Sequence, residues 1–462
     1  MGEMSVPDDA LYGASTQRAV LNFPVSGRPL PEPFIRGLGL VKLACAAANE
    51  ELGVLDSEKS RAIQTIAREI TGGKLTGQFP IDVFQTGSAT STNMNANEVI
   101  ANRASQLAGK EIGSKVPLHP NDDVNLGQSS NDVIPTVLHV SVAVALSAKL
   151  KPALAKLAAE LDRKAMGWQQ VVKIGRTHLM DATPLTLGQE FSGYARQAQK
   201  ATERCDRAIA ALAELAIGGT AVGTGINTDA RFGGTVAKIL SKETGLAFRE
   251  ASNHFEAQGG RDDCVEVAGQ LVAIAASLTK IANDIRLLGS GPRAGLAELK
   301  LVATQPGSSI MPGKVNPVMS EMLVQVCLYV QGLCVSVQNA GRDGHFELNV
   351  TLPLIAHCLH ESIHCLGNAV RVFTEECIAG LEADASRCRE LVDRSLMLVT
   401  ALNPHIGYDA AARVAKEAYA TGKTLRSIVL EQKLMDAALL DQVLEPLSMT
   451  QPGNSHAGAG GG

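Results

Sequence analysis

Aromatic residues and long apolar runs are scarce in this sequence. Only 3% of its 462 residues are Phe, Trp or Tyr, with a single Trp, whereas Ala and Leu recur throughout. Ala and Leu are strong helix formers, so the composition favours helices over sheets. No uninterrupted apolar run approaches the roughly 18–20 residues needed to cross a bilayer. We therefore expect no membrane-spanning segment and no membrane partner.

Charge of one sign is also never concentrated. The 42 basic and 47 acidic residues give a net charge of −5 and are mixed along the chain, which argues against nucleic acid as a partner. Residues 1–13 lack the charged and apolar regions of a signal peptide. The nine cysteines are too few for a disulfide scaffold in a chain of this length, and most lie in apolar helical stretches. We expect a cytoplasmic protein.

The clearest periodic pattern lies between Cys264 and Leu288, where apolar residues alternate at spacings of three and four. Such a heptad pattern indicates a long helix packed side by side with others. About 28 residues at 1.5 Å each would span roughly 40 Å, and we interpret a helix of this length as part of an oligomeric bundle. This apolar seam comprises Cys264, Val267, Leu271, Ile274, Leu278, Ile281, Ile285 and Leu288.

Similar helical patterns run through residues 136–166, 185–215, 317–340 and 352–376, separated by segments rich in Gly, Ser and Pro. No βαβ alternation occurs in the sequence, so we predict an all-α fold. We divide it into an N-terminal helical domain (1–130), a central long-helix domain (131–385) and a small C-terminal helical domain (386–450). The low-complexity tail, 451–462, is predicted to be disordered.

Four polar segments interrupt the helical background. They are rich in hydroxyl and amide side chains rather than in ordinary surface charge, which is typical of an anion-binding site. In chain order they are Gln85–Asn97, Leu118–Asp132, Gly175–Leu185 and Gln305–Pro317.

The fourth segment contains the most specific pattern. Asn316 is a natural N-cap, Pro317 suits a first helical turn, and an apolar helix follows from Val318. Lys314 then lies just ahead of a helix N-terminus, where the N–H groups and the helix dipole favour anions.

The sequence GSSIMPGKVNP at 307–317 resembles the signature loop GSSxMPxKxNP of the fumarase/aspartase superfamily. The other three segments resemble that superfamily's remaining motifs in the same order, and the likeness extends from Val6 to about Leu447. Within the superfamily, Thr177-His178, the run Ser129–Asn131 and the Gly before Lys314 follow the class II fumarase form. The resemblance implies a three-domain, all-α fold whose central long-helix bundle is completed by tetramerisation.

The activity that this resemblance implies is the reversible hydration of fumarate to L-malate by a lyase without cofactor or metal. Aspartate ammonia-lyase of the same superfamily is the enzymatic alternative. A non-catalytic structural protein on this scaffold is a further alternative, and retention of the reactive residues argues against it.

The resemblance also implies roles for individual residues. Ser308 is expected to be the base, Lys314 and Asn316 to bind a carboxylate and stabilise its aci-form, and His178 with Glu321 to orient or activate water. A secondary anion site without a catalytic role is implied at His119, Asn121 and Asp122. In a homotetramer the segments holding Ser130, His178 and Ser308 would meet from different chains. The remaining implied substrate-binding residues are Ser88, Thr90, Ser129, Ser130, Asn131 and Thr177.

Some features depart from the family or suggest other chemistry. Ala89 stands where the family usually has Gly, so the loop would be strained if its backbone needs a positive φ. His360 to His364 reads H-E-x-x-H, but the third ligand position falls on Val370, so a zinc site would be incomplete. The Gly-rich stretch Gly218–Gly225 lacks the Lys-Ser/Thr of a P-loop and is interpreted as a helix-terminating turn.

Overall fold

The computed structural model describes residues 3–452, in which helices predominate; the predicted disorder of 453–462 lies outside this part. The α-helices are α1 (Ala14–Asn22), α2 (Glu32–Glu51), α3 (Ser57–Thr71), α4 (Thr90–Leu107), α5 (Ser130–Ala145), α6 (Lys151–Gly167), α7 (Leu187–Ala211), α8 (Phe232–Thr244), α9 (His254–Gly259), α10 (Asp262–Leu288), α11 (Val318–Gly341), α12 (Leu352–Phe373), α13 (Ala385–Arg394), α14 (Asn403–Ile406), α15 (Tyr408–Thr421), α16 (Leu425–Glu431) and α17 (Ala437–Val443).

The strands are short and pair two by two. β1 with β2, β5 with β8 and β6 with β7 are antiparallel, and β3 with β4 is parallel. The predicted all-α class is therefore confirmed. The strands are β1 (Val172–Thr177), β2 (Met180–Thr186), β3 (Glu214–Leu215), β4 (Arg249–Glu250), β5 (Leu299–Lys300), β6 (Gly344–His345), β7 (Leu348–Asn349) and β8 (Glu382–Ala383). Single turns of 3₁₀- or π-helix lie at Thr76–Gln78, Pro120–Val124, Leu146–Leu150, Thr374–Ile378, Leu396–Leu402 and Pro446–Thr450.

The chain forms two compact units. Unit 1 comprises 1–153, 201–277 and 325–369, and unit 2 comprises 154–200, 278–324 and 370–462. The chain passes from one unit to the other within α6, α7, α10, α11 and α12. The three-domain division at residues 130 and 385 stays a prediction.

In unit 1, α2 packs against α3, α5 and α8. Two glycines of α2 allow this close approach. A Cβ at Gly37 would lie 2.6 Å from Cβ of Ser141 on α5, and one at Gly39 would lie 2.7 Å from Oγ1 of Thr71 on α3. Because any larger side chain would push these helices apart, the glycines set the spacing of the core beneath the N-termini of α4 and α5.

In unit 2, the C-terminal helices share one hydrophobic core with the β1–β2 hairpin. Ile174 of β1 is buried in it, so the hairpin is anchored by the same apolar contacts that hold α13, α15 and α16 together. The buried members of this core are Ile174, Val392, Leu398, Leu402, Ala411, Val414, Ala418, Leu425, Ile428, Val429 and Leu440.

The apolar seam forms the predicted long helix, α10, whereas the oligomeric bundle inferred from it stays a prediction. All eight seam residues are buried within the single chain, from Cys264 to Leu288, the latter being 5% exposed. The seam is thus covered without a partner. Apolar side chains that remain uncovered lie on α11, where Leu328 is 60% and Val335 53% exposed.

Three helices are long and apolar enough to cross a membrane by length and composition, which corrects the expectation based on uninterrupted runs. Scattered Ser, Thr, Asn and Gln break the runs without lowering the mean hydropathy enough to matter. In each of these helices we considered the most apolar stretch of 18 residues. The share of that stretch that is buried inside the protein is 72% in Ser130–Gly167, 44% in Asp262–Leu288 and 28% in Val318–Gly341. The first helix is therefore largely a core helix, whereas the third is mostly uncovered.

Candidate active site

Two helix N-termini meet in unit 1 through hydroxyl groups that the sequence predicted as substrate ligands. Thr90 begins α4 and Ser130 begins α5, and Oγ1 of Thr90 lies 2.7 Å from Oγ of Ser130. Oγ of Ser88 lies 2.8 Å from the same Thr90 oxygen. Two adjacent helix N-termini combine free N–H groups with the positive ends of two dipoles, an arrangement that binds anions.

The start of α4 depends on an unusual backbone. Ala89, which precedes the helix, has φ 52° and ψ 28°, so the positive φ considered from the sequence is present and the residue is strained. Just before it, a Cβ at Gly87 would lie 1.8 Å from the carbonyl oxygen of Val350. Leu352 N–H donates to the Gly87 carbonyl at 3.0 Å. The loop bearing Ser88 is therefore clamped against the start of α12.

The start of α5 is fixed by a capping box. Ser129 Oγ accepts from the N–H of Asn131 at 3.2 Å, and Asp132 Oδ1 accepts from the N–H of Ser129 at 2.9 Å. The Asn131 side-chain amide donates to the carbonyl of Ala221 at 2.8 Å. Ser129 thus serves the helix N-terminus, and Asn131 joins it to the Gly-rich stretch Gly218–Gly225.

Asp132 is a residue of this region that the sequence interpretation missed. Its buried carboxylate accepts from the N–H groups of Gly218 (3.1 Å) and Thr220 (2.9 Å). Burial raises its pKa to about 6, against the lowering effect of these N–H groups. The Ser-x-x-Asp spacing of a capping box was the available signal. Gly218–Gly225 is thus tied to the start of α5. It follows the strand β3 rather than a helix, because α7 already ends at Ala211, so the predicted helix-terminating turn was wrong.

The proposed secondary anion residues lie at a single π-helical turn, Pro120–Val124. Nδ1 of His119 accepts from the N–H groups of Asn121 (3.3 Å) and Asp122 (3.1 Å). The Asp122 carboxylate also lies 3.2 Å from Nδ1. Two N–H groups that would face an anion are thus engaged by the imidazole, and the secondary anion site stays a prediction.

In unit 2, the signature loop folds around Ser308. Oγ of Ser308 accepts from the N–H groups of Ile310 (3.2 Å) and Met311 (3.1 Å). Two N–H donors aimed at a serine oxygen favour its negatively charged form. A Cβ at Gly307 would lie 2.1 Å from the Lys314 carbonyl oxygen, so the loop closes tightly on itself.

The helix after this loop begins at Val318, as predicted, but Asn316 is not its N-cap. The Asn316 side-chain amide donates to the carbonyl of Gly307 at 2.6 Å, and Pro317 occupies the position before the helix. Asn316 therefore holds the loop closed. The loop from Ala303 to Val315 lines an open cavity of about 400 Å³ that includes Ser308 and Lys314.

Thr177 and His178 lie at the tip of the β1–β2 hairpin, where the sequence had suggested only a polar loop. Thr177 pairs with Met180, and the two residues between them, His178 (φ 57°) and Leu179 (φ 63°), form the turn. Two successive positive φ angles are typical of a type I′ hairpin turn. His178 is exposed, and Leu179 beside it is 76% exposed.

The β1–β2 hairpin is held along its length by buried charges that the sequence did not reveal. The Arg176 guanidinium forms two hydrogen bonds of 2.9 Å to the carboxylate of Glu298, which has no exposed surface. The Lys173 ammonium lies 3.5 Å from Glu298 and 3.0 Å from Glu190. The exposed His178 is thus carried on a hairpin that buried ion pairs anchor.

Glu321 lies in the first turn of α11, one turn beyond Pro317. Its predicted pairing with His178 stays a prediction.

The H-E-x-x-H histidines have other partners. Nε2 of His360 is buried and lies 2.8 Å from Oγ of Ser141, and His364 contacts the Lys149 ammonium (2.9 Å) and the Asn368 amide (3.0 Å). Within residues 3–452, no group of three His, Cys, Asp or Glu side chains is arranged to hold a metal ion.

Known proteins resemble this chain along almost its whole length. Residues 2–332 match the family described as Lyase, and 398–451 match Fumarase C C-terminus. Fumarate hydratase class II of Halobacterium salinarum is 52% identical over 453 residues, 98% of this chain and 96% of the relative. Fumarate hydratase class II 2 of Bradyrhizobium diazoefficiens is 50% identical over 452 residues, again 98% and 96%. The crystal structure of recombinant class II fumarase from Schistosoma mansoni superposes with a TM-score of 0.94, at 39% identity and 98% coverage of each chain.

A predominantly helical chain whose residues 2–332 match a lyase family is a lyase of the fumarase/aspartase superfamily. Within that superfamily, this chain belongs to the class II fumarases.

Proposed function

We propose that the protein is a fumarate hydratase, interconverting fumarate and L-malate with the residues described above. The observation that carries the proposal is the Ser308 oxygen, which accepts two backbone N–H groups in a loop that also bears Lys314. A serine in that setting serves as a base for a weakly acidic C–H group. The names of the relatives support the same reaction.

In the malate-to-fumarate direction, the Ser308 oxyanion takes the proton from the carbon beside a carboxylate. The electron pair moves into that carboxylate, giving an aci-form with two negative charges. Lys314 and the second N–H of the Asn316 amide stabilise this charge as it develops, which is the dominant kind of catalytic stabilisation. The hydroxyl group then leaves with a proton supplied through His178, forming water and the double bond.

The other carboxylate of the substrate is assigned to the helix N-termini in unit 1. Thr90, Ser130 and Asn131 surround those N-termini, and neutral donors suffice there because the helix dipoles supply positive potential. Ser88 and Ser129 support these donors from the flanking loops, and Thr177 would add a hydroxyl beside His178. No redox change or activated group occurs in this scheme, so it requires neither nucleotide nor metal.

The test of this function is direct. The purified protein, without added metal or nucleotide, is expected to produce fumarate from L-malate, followed by the ultraviolet absorbance of fumarate, and to run the reaction in reverse. Ammonia release from aspartate without malate turnover would instead establish the aspartate ammonia-lyase alternative. Absence of both activities, with the fold intact, would favour a structural protein on this scaffold.

We further propose a cytoplasmic homotetramer with active sites shared between chains. The apolar side chains of α11 support this, since Leu328, Tyr329 (45% exposed) and Val335 form an uncovered face. Exposed apolar residues also flank the reactive ones, with Ile310 at 84% and Leu179 at 76% exposure. Such exposure marks surfaces that are covered by a partner, and we assign that partner to further copies of the chain rather than to lipid or nucleic acid.

Mixed tetramers test the shared site. His178→Asn and Ser308→Ala proteins, each inactive, are unfolded together and reassembled. If the two residues of one site come from different chains, roughly a quarter of the sites in random mixtures would contain neither substitution. If each site uses both residues of one chain, none would. Mixed tetramers as inactive as their parents would refute sharing between these two segments.

A further inference from the structure

Lys42 is a buried cation whose hydrogen bonds go only to neutral groups. It lies in the middle of α2 with no exposed surface and is the one charged residue between Leu38 and Ala48. Its ammonium group donates to Oδ1 of Asn125 at 3.1 Å and to Oε1 of Gln128 at 2.9 Å. Neutral amides satisfy its hydrogen bonds but do not neutralise its charge, and burying such a charge is costly.

The two amides that Lys42 contacts belong to a larger amide network. Oδ1 of Asn125 also accepts from the side-chain amides of Asn93 (3.1 Å) and Asn97 (3.2 Å), both on α4. The Asn125 amide donates in turn to the Gln128 carbonyl at 3.0 Å. The network of Asn93, Asn97, Asn125 and Gln128 therefore joins α4 to the turn that leads into α5.

Both ends of this network adjoin the proposed carboxylate-binding groups. Asn93 lies in the first turn of α4, three residues after Thr90, and Gln128 immediately precedes Ser129. Thr90 and Ser130 contact each other directly, so a shift of either end would open that 2.7 Å contact. Lys42 binds Asn125, which accepts from both α4 amides, and Gln128, at the α5 end of the network.

We propose that Lys42 is a positioning residue for the dicarboxylate: it holds the N-termini of α4 and α5 together, and its charge adds to their positive potential. The inference rests on the proposed function, because it assigns a dianion to these N-termini. A bound dianion would also add negative charge to that of the Asp132 carboxylate, which already favours the charged form of Lys42.

The titratable groups around Lys42 are few. Asp132, at the start of α5, favours the charged form of Lys42, whereas burial raises the pKa of Cys45 on the same helix and keeps it a neutral thiol. The turn residues that contact Lys42, Asn125 and Gln128, are neutral amides. Burial lowers the pKa of Lys42 to about 8. The ammonium is therefore mostly charged at neutral pH and loses its proton as the pH rises through about 8.

Lys42→Met tests the proposal with a neutral side chain of similar length, and Lys164→Met is the matched control. Lys164 on α6 is also buried and donates to two neutral oxygens, the carbonyls of Ala379 and Leu381. Lys42→Met is expected to raise KM for malate about 10- to 100-fold, the equivalent of one charge-assisted hydrogen bond. Its kcat should stay within about threefold, because a carboxylate bound alike in substrate and transition state affects KM. Lys164→Met should leave KM unchanged.

The pH profile separates positioning from general loosening. In the wild type, KM should rise between about pH 7.5 and 9 as Lys42 is deprotonated, and this rise should be absent in Lys42→Met. Circular dichroism and sedimentation confirm that each variant is folded and assembled like the wild type. A folded Lys42→Met protein with wild-type KM, or one whose KM keeps the alkaline rise, overturns the proposal.

Direct binding keeps the two proposals apart. Calorimetric titration with malate and with fumarate measures affinity whether or not hydration occurs. If the wild type binds dicarboxylates but does not hydrate fumarate, the proposed function is refuted. The affinity of Lys42→Met for the same dicarboxylates then still decides the role of Lys42. If the wild type hydrates fumarate and a folded Lys42→Met protein binds malate and fumarate as tightly as the wild type, only the role of Lys42 is refuted.

Discussion

The helix N-termini of unit 1 and the reactive segments of unit 2 differ sharply in how they are built. Ser88 is 6% exposed, and the hydroxyl groups of Ser88, Thr90 and Ser130 are linked by contacts of 2.7–2.8 Å close to the amide network of Asn93, Asn97, Asn125 and Gln128. The Ser308 loop and the His178 turn instead stand in solvent beside apolar side chains such as Ile310 and Leu179.

This difference separates recognition from chemistry. The groups assigned to bind a carboxylate are preorganised by one chain, since their own neighbours fix each rotamer, as tight anion binding requires. The groups assigned to proton transfer are locally shaped but uncovered. In the proposed homotetramer, further chains would cover these groups and supply the dry environment that strengthens electrostatic stabilisation. The four substitutions below test each side of this comparison.

The largest effect is expected at the reactive side. Ser308→Ala removes the oxygen that accepts the N–H groups of Ile310 and Met311, and kcat should fall by about 10²- to 10⁴-fold, as for loss of a positioned base. Malate affinity should survive, because Lys314 and the helix N-termini remain. Ser309→Ala, at the exposed neighbouring position, is the control and should retain most of its kcat. Near-normal kcat in a folded Ser308→Ala protein would place the base elsewhere.

Next in size is the anchor of the His178 hairpin. Glu298→Gln leaves Arg176 and Lys173 with a neutral partner in a buried site, which should lower the free energy of unfolding by about 3 kcal/mol. The exposed pair of Arg389 and Asp393 provides the contrast, and Asp393→Asn should change stability by less than about 1 kcal/mol. Urea denaturation measures the change in the free energy of unfolding for each of the two variants. Equal effects would show that the buried pair does not lock the hairpin.

The carboxylate at the start of α5 should give a pH-dependent effect. The pKa of Asp132 is raised by burial to about 6, above the 3.8 of a free side chain. Between these values the folded protein keeps a proton that the unfolded chain has lost, so Asp132 makes stability fall as the pH rises from about 4 to 6. The size is on the order of 3 kcal/mol.

In Asp132→Asn this contribution is absent. Urea midpoints of the wild type and the variant, taken at one protein concentration, should therefore diverge across that pH window and run parallel above it. Parallel curves throughout would show that Asp132 remains ionised or is solvated.

The sequence predicted those features that depend on local pattern. The seam from Cys264 to Leu288 predicted the long helix, because the spacing of its apolar residues can be read from consecutive positions in the sequence. Val318 was recognised as a helix start because Pro317 precedes it. The all-α class followed from the same periodicity, and the polar runs marked both the α4–α5 pair and the Ser308 loop.

Features that depend on contacts between distant segments were not predictable. Asp132 binds Gly218 and Thr220, and Arg176 binds Glu298, partners separated by 86 residues or more. The segments that cover the seam could not be predicted either, because periodicity reveals which face is apolar but not what covers it. Asn316 was assigned as an N-cap because its side chain suits that role, although Gly307 offered a competing acceptor.

The smallest effect is expected at Ala89, where strain and packing oppose each other. Glycine there would relieve the left-handed conformation, worth roughly 1–2 kcal/mol, but would lose a fully buried methyl group and increase the freedom of the unfolded chain, together a similar amount. Ala89→Gly should therefore change stability by less than about 1 kcal/mol.

Ala101→Gly is the matched control, since Ala101 is also buried but lies inside α4. Glycine relieves no backbone strain at that position and should lower the free energy of unfolding by about 2 kcal/mol. The difference between the two urea midpoints isolates the backbone strain at the entrance of α4. If Ala89→Gly were as destabilising as Ala101→Gly, the left-handed backbone would carry no strain, and the packing of the methyl group alone would hold Ser88 and Thr90 in place.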